Sequence, residues 1–403
     1  MKKILILMLI VTVSIGMVFA EAQTEAGPMK KTVIKFAGQA DSTPGTQAVL
    51  DAFNASQDKY TVEWVNMTND SNAMREQLIT SLKAGSSDYD VLSLDVVWAG
   101  EFAASGYIEP IDSRLKDAGL MISEFNAGSM ASGRYNAKQY VLPFFPDLGV
   151  LYFRSDIVSS TDAAKLRGGN YTFNDLYAMA AKYQGQKGTV DGYVYQSSLY
   201  EGLVCNVNEF TGAWTDLEKG LMEMKMFSDS KVTPSNILNY TEGETHNNFI
   251  KGKSVFARNW PYQWGMIKSE GTISQDQVDI APLPKGSTVG GWLLAINSKS
   301  NNKDGAWELI KFISTLEGQK ILSTKGGYLP GFNAALQDKD VIASNAMLSK
   351  EGFKNALVKT IARPVSAQYA KVSDGIQQAV HKYLSGSAKL DATVAAIKMS
   401  LTY

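Results

Sequence analysis

Cysteine is almost missing. Cys205 stands alone among 403 residues, so no disulfide can close within the chain, and no thiol near the amino terminus could carry a lipid anchor. Histidine is nearly as scarce: His246 and His381 are isolated, which argues against a zinc site, and no metal or other cofactor is expected. Basic excess is lacking as well. With 39 Lys and Arg against 40 Asp and Glu, no surplus of cations exists to neutralise phosphates, which argues against nucleic acid as a partner. Gly252-Lys253-Ser254 lacks the glycine at Asn247 that a phosphate loop would need. Long apolar runs are confined to the first twenty residues.

Those twenty read as a secretory signal. Lys2 and Lys3 precede an apolar stretch from Ile4 that ends Val18-Phe19-Ala20, short of the roughly 20 apolar residues a membrane span needs. Cleavage after Ala20 is expected, with residues 21–29 a flexible leader. The mature chain is expected to be periplasmic, monomeric and not a lipoprotein.

At 403 residues, 45% of them hydrophobic, the chain can form two cores, so two lobes are expected. Thr32 to Phe36, Tyr60 to Val65 and Tyr89 to Leu94 read as strands separated by helical patterns, Val49/Ala52/Phe53 and Met74/Leu78/Leu82. Such alternation predicts a mostly parallel sheet with its ligand outside the carboxyl ends of the strands. Asp41 and Asp95 follow strands directly and fall at that rim. Two prolines around two phenylalanines, Pro143 to Pro146, make a stiff first passage between lobes. Helices are expected over Asp216 to Phe227, Gly305 to Leu316 and Ser344 to Leu357, with further helical patterns up to Tyr403.

Ala257 to Trp264, ARNWPYQW, gathers Trp260, Tyr262 and Trp264 around a proline expected to keep a helix from starting cleanly. It reads as a strand ending in an aromatic shelf. Flat rings suit the apolar face of a hydroxyl-bearing ring, while polar groups take its rim; burial in a core would equally account for three large aromatics.

Assembled in order, these segments resemble the extracellular solute-binding proteins of ATP-driven sugar importers, specifically the trehalose/maltose-binding group. The segments are SSDYDVLSLDVVWAGEFAASGYIEPID from Ser86, YVLPFFPDLGVLYFRSD from Tyr140, YEGLVCNVNEF from Tyr200, ARNWPYQWGM, APLPKG from Ala281, GGWLLAINSKSNNKDGAWELIKFI from Gly290 and RPVSAQYAKVSDGIQQAV from Arg363. The resemblance implies an α/β fold of two lobes, each a mixed sheet flanked by helices, with the ligand cleft between them. It assigns residues 30–142 and 287–330 to the N-terminal lobe and 147–284 and 334–403 to the C-terminal lobe. It implies sugar contacts at Asp95, Asp147, Trp260, Tyr262, Gly291, Trp292, Arg363 and Tyr369, with Asp41 and Arg75 as polar contacts of the first lobe. Phe145 takes the place of a tyrosine in relatives, and the segment between Phe210 and Asp216 is shorter than in the group.

The implied function is capture of a neutral sugar, an α-glucose disaccharide such as trehalose or maltose, for an ABC-type permease in the membrane. A longer glycan and another solute are alternatives. A glycosidase would need two carboxylates roughly 5 to 10 Å apart, and no poised nucleophile accompanies the aromatics here. No catalytic residue is expected. Affinity for a neutral sugar should barely change between low and high salt; titration at two ionic strengths checks this, and a steep loss would indicate a charged ligand.

Overall fold

The computed structural model describes residues 31–364 and 366–403; the expected signal 1–20 and leader 21–29 lie outside the described residues. The chain starts as strand, helix, strand, helix, strand. Strands β1 (Thr32–Gln39), β2 (Tyr60–Met67) and β3 (Val91–Asp95) lie parallel, with β1 in the middle. Helices Gly45–Ser56 and Ser71–Lys83 make the crossovers, burying Val49, Leu50 and Phe53 on one and Met74, Leu78 and Leu82 on the other. A short hairpin, β4 (Arg134–Tyr135) and β5 (Lys138–Gln139), precedes β6 (Val141–Leu148) and β7 (Val150–Arg154). Then come β8 (Asp191–Val194), β9 (Ser254–Asn259), β10 (Val278–Ala281), the long β11 (Ser287–Ile296) and β12 (Thr360–Ile361).

Two principal sheets result. The first has six strands in the order β12-β11-β3-β1-β2, with β6 on the free side of β11. The second has four, in the order β10-β7-β9-β8. Each sheet is mixed: β11 runs antiparallel to β3 and β6 beside the parallel β1, β2 and β3, and β7 runs antiparallel to β9 and β10 while β8 runs parallel to β9. The parallel expectation therefore holds for β1, β2 and β3 and stops at β11.

Side chains of the first sheet divide by the two-residue period of a strand. Leu293 joins a core with Leu78, Leu92 and Phe102 on one face, and Leu294 joins Phe36, Phe144 and Ile310 on the other. The second sheet has one large core of its own, built around Tyr152, Phe210, Phe227 and Phe256. Only Gly149 separates β6 from β7, so the chain passes from one sheet to the other there.

Helix Glu201–Thr211 is buried along its whole length. A helix that is dry all round must pair its polar groups, and its Glu209 does so. The carboxylate accepts from Arg258 Nε at 2.8 Å and Nη2 at 2.6 Å, and from the Thr288 amide at 3.1 Å. One buried ion pair thus ties this helix, β9 and the start of β11.

Three local expectations are corrected. Pro261 does not bar a helix but caps the helix Tyr262–Glu270 at its amino end, where a missing N–H costs nothing. Trp264, one turn in, is buried in the second core and is no part of a shelf. Ser344 to Leu357 is not one helix: Ser344 ends the helix Lys339–Ser344, and a short turn at Ala346–Ser349 and the helix Glu351–Leu357 follow, because the Asn345 side chain accepts from the Met347 amide and starts a new turn. Between Phe210 and Asp216 the connection is tight, with Gly212, Ala213 and Trp214 all at positive φ.

Glu209→Ala should lower stability by about 3 to 5 kcal/mol, since it strands a buried guanidinium. Joint replacement, Glu209→Leu with Arg258→Met, should cost much less. Urea denaturation of the two variants checks both outcomes.

Candidate functional site

The long strand β11 assembles the site by register. Trp292 stands opposite Asp95 of β3 on one side and Phe145 of β6 on the other, and Gly290 stands opposite Asp147. Gly291 has a φ of +116°, and a Cβ there would lie 2.5 Å from the Phe145 carbonyl. Only glycine suits both the backbone and the space. The ladder slips by one residue just past Trp292, a bulge of the kind that re-aims a side chain. Trp98 meets the Trp292 ring edge-on at 5.4 Å.

Trp260 enters from the other sheet, one residue past β9. A Cβ on Gly290 would lie 2.8 Å from its ring, so the indole rests against bare backbone of β11. Its orientation is fixed from several directions. Nε1 donates to Glu242 at 3.1 Å, the backbone carbonyl accepts from the Tyr152 hydroxyl at 3.0 Å, and the Arg258 guanidinium lies 4.0 Å from the ring centre. One aromatic face is thereby taken by a cation, an attraction that strengthens where water is excluded. Tyr262 follows, its hydroxyl 2.9 Å from His246 Nδ1.

The charged groups are less free than their sequence positions imply. Asp41 sits just past β1 and accepts from the Thr43 amide at 2.7 Å, the Thr46 amide at 2.9 Å and the Tyr328 hydroxyl at 2.6 Å. It therefore serves the start of helix Gly45–Ser56 and anchors Tyr328, whose ring stacks on Phe145 at 4.2 Å. Arg75 pairs with Glu101 and Glu76, and none of its bonds reaches another of the nominated residues. Asp95 accepts from the Val97 amide at 3.2 Å and from Arg363 at 3.1 Å. Arg363 also donates to Glu201 at 2.7 Å, and the Tyr369 and Ser373 hydroxyls donate to the same carboxylate. Arg363 thus joins the tip of β3 to a helix of the second core. Among the described residues its Nε has no partner.

Asp147 is the exception. Among the described residues its carboxylate accepts only from the adjacent Leu148 amide at 3.0 Å. Burial pushes its pKa up to about 8, and the nearby Glu242 adds to the rise against the pull of Arg258.

All eleven nominated residues are buried or half-buried. Asp95, Phe145, Asp147, Gly291, Trp292, Trp260 and Arg363 are linked to one another through β11 and its neighbours; Tyr369 joins through Glu201, Tyr262 lies two residues past Trp260, Asp41 reaches Phe145 through Tyr328, and Arg75 stands apart. The sequence reading left out Glu201, Glu242, Arg258 and Tyr328. Glu201 and Arg258 lie inside quoted motifs, and Arg258 directly precedes Asn259-Trp260, but a charged residue gives no sign of its partner. Two hollows of about 460 and 800 Å³ elsewhere on the surface include none of the nominated residues. Among the described residues no cluster of His, Cys, Asp and Glu could hold a metal ion, and no helix is long and apolar enough to cross a membrane.

Two lobes that bring rings and carboxylates together along shared strands define the class: a two-lobe solute receptor. The chain belongs to the bacterial extracellular solute-binding protein family, whose model matches residues 48–349. A probable ABC transporter-binding protein of Deinococcus radiodurans is 29% identical over 81% of this chain and 82% of its own length. A maltotriose-binding protein of Pyrococcus abyssi is 24% identical over 73% of this chain and 65% of its own. Among solved structures, maltose-bound MalE3 of T. maritima superposes with a TM-score of 0.81 at 28% identity, covering 92% of this chain and 99% of that one.

A carboxyl with a raised pKa weakens the fold as it ionises. Below the unfolded-state value near 3.8, Asp147 and its amide isostere should be equivalent. As pH rises from about 4 to about 8, Asp147→Asn should become the more stable protein, by a few kcal/mol at the plateau, in order of magnitude. Urea melts across that range test it, and parallel curves for the two proteins would contradict it.

Proposed function

We propose that this chain captures a neutral sugar, an α-linked glucose disaccharide such as maltose or trehalose, outside the cytoplasmic membrane and delivers it to an ABC-type permease. The observation that carries this reading is the Trp260 indole: one face covered by Arg258, its edge tied to Glu242, and its ring set against Gly290, two residues before Trp292 on β11. A ring fixed so firmly is a platform for the C–H face of a sugar. Asp95 and Asp147 would accept from sugar hydroxyls, and Arg363 would donate with the Nε that has no partner among the described residues. The maltose-bound relative and the maltotriose-binding relative support the same class of ligand.

The N-terminal lobe in this reading is 30–142 with 287–330, and the C-terminal lobe is 147–284 with 334–403, closing on ligand about the crossing segments. The signal, residues 1–20, would be removed after Ala20 and the mature chain would work as a lipid-free periplasmic monomer. A longer glycan is a second reading, supported by the Pyrococcus relative and by the segment between Phe210 and Asp216, which is shorter than in the group this chain resembles.

Trp260→Ala should weaken maltose binding by roughly 2 to 4 kcal/mol, about 30- to 1,000-fold in Kd. Calorimetry measures this, after a thermal-shift screen over mono-, di- and oligosaccharides has ranked the ligands. Unchanged affinity for the best sugar would remove Trp260 from the platform role.

A further inference from the structure

Glu242 opens the helix Glu242–Ile250, yet the work of starting that helix falls to its neighbours. Thr241 donates to Glu244 through both its amide and its hydroxyl, and the Thr241 hydroxyl accepts from the Gly243 amide. The Glu242 carboxylate points elsewhere. One oxygen accepts from Trp260 Nε1 at 3.1 Å and the other from the Tyr200 hydroxyl at 2.6 Å. No cation pairs with it among the described residues. Arg258, which lies within electrostatic range of it, already gives Nε and Nη2 to Glu209 and Nη1 to Gln196.

Merely to orient an indole, a neutral acceptor would serve, and a glutamine in this place would avoid repulsion. Glu242 instead sets a second carboxyl within electrostatic range of Asp147. Each carboxylate oxygen can accept two hydrogen bonds and each has accepted one. A half-buried carboxylate so placed is short of donors, and a hydroxyl-bearing ring lying on Trp260 brings them.

We infer that Glu242 is a specificity-determining residue that accepts a hydrogen bond from a hydroxyl of the sugar ring seated on Trp260. The inference rests on the proposed sugar-binding reading. Its shared bond to Trp260 Nε1 couples the two elements of recognition: the group that reads the rim of the sugar is fastened to the ring that carries its face.

The test is a binding cycle by calorimetry with maltose and the complete set of its monodeoxy analogues, on the parent and on Glu242→Gln, which retains an acceptor for Trp260. The variant should bind maltose about 10- to 100-fold more weakly. One deoxy analogue should lose no further affinity on the substitution, because the hydroxyl that Glu242 reads is already absent from it. An equal loss for every analogue, or no loss at all, overturns the inference. If Glu242→Gln does not fold, Glu242→Asp takes its place: withdrawing the carboxylate by one methylene should reorder the analogues, and an unchanged order overturns the inference. Failure of the underlying reading looks different, with no maltose binding by the parent and no effect of Trp260→Ala. Loss of affinity in Trp260→Ala beside a uniform cycle at Glu242 leaves that reading standing and removes only this one.

Discussion

The bidentate bond between Arg258 and Glu209 holds the centre of the molecule together. Both side chains are excluded from solvent, at 0% and 1% exposure, in a place where an unpaired charge could not be tolerated. A buried pair of this kind contributes little net stability compared with apolar residues of the same shape. Its value lies in geometry. The guanidinium is pinned at one edge by Glu209 and Gln196, so its flat face is presented to Trp260 at 4.0 Å. The carboxylate, for its part, accepts the Thr288 amide and so fixes where β11 begins. Ring and strand are held in mutual register by a single pair of charges.

From that register the remaining polar network follows. Trp292 falls between Asp95 and Phe145 because β11 pairs with β3 and β6 at once. Arg363 closes the arrangement by reaching Asp95 with one nitrogen and Glu201 with another. Within the structure these charges answer one another. In the proposed reading, a neutral molecule entering between them would have to offer hydrogen bonds good enough to replace those it interrupts, which would favour ligands dense in hydroxyls over merely apolar ones.

Much of the fold was legible in the chain because its first part obeys simple periodicities. Apolar alternation marks β1, and four-residue steps at Met74, Leu78 and Leu82 mark the crossover helix. The motifs around Asp95, Phe145, Asp147, Gly291 and Trp292 meet in space because they lie on paired strands. What escaped was whatever depends on a partner far away in sequence. Pro261 looks like a barrier until the strand before it delivers it to a helix start. Trp264 looks like its neighbour Trp260, but one helical turn points it into the second core. Asp41 looks free, and only the fold shows that Thr43, Thr46 and Tyr328 occupy it. Arg258 and Glu242 carry no local signature of their roles, since a side chain's charge is visible in sequence and its counterpart is not.

The position of β11 in the first sheet bears on how the chain is made. β1, β2 and β3 leave the ribosome early, but the strand that completes β3's free edge and carries β6 arrives only after the entire four-stranded sheet has been translated. Closing so wide a loop is slow, as contacts between distant residues generally are. During synthesis the nascent amino-terminal half must therefore wait with an unpaired strand edge, a state vulnerable to aggregation.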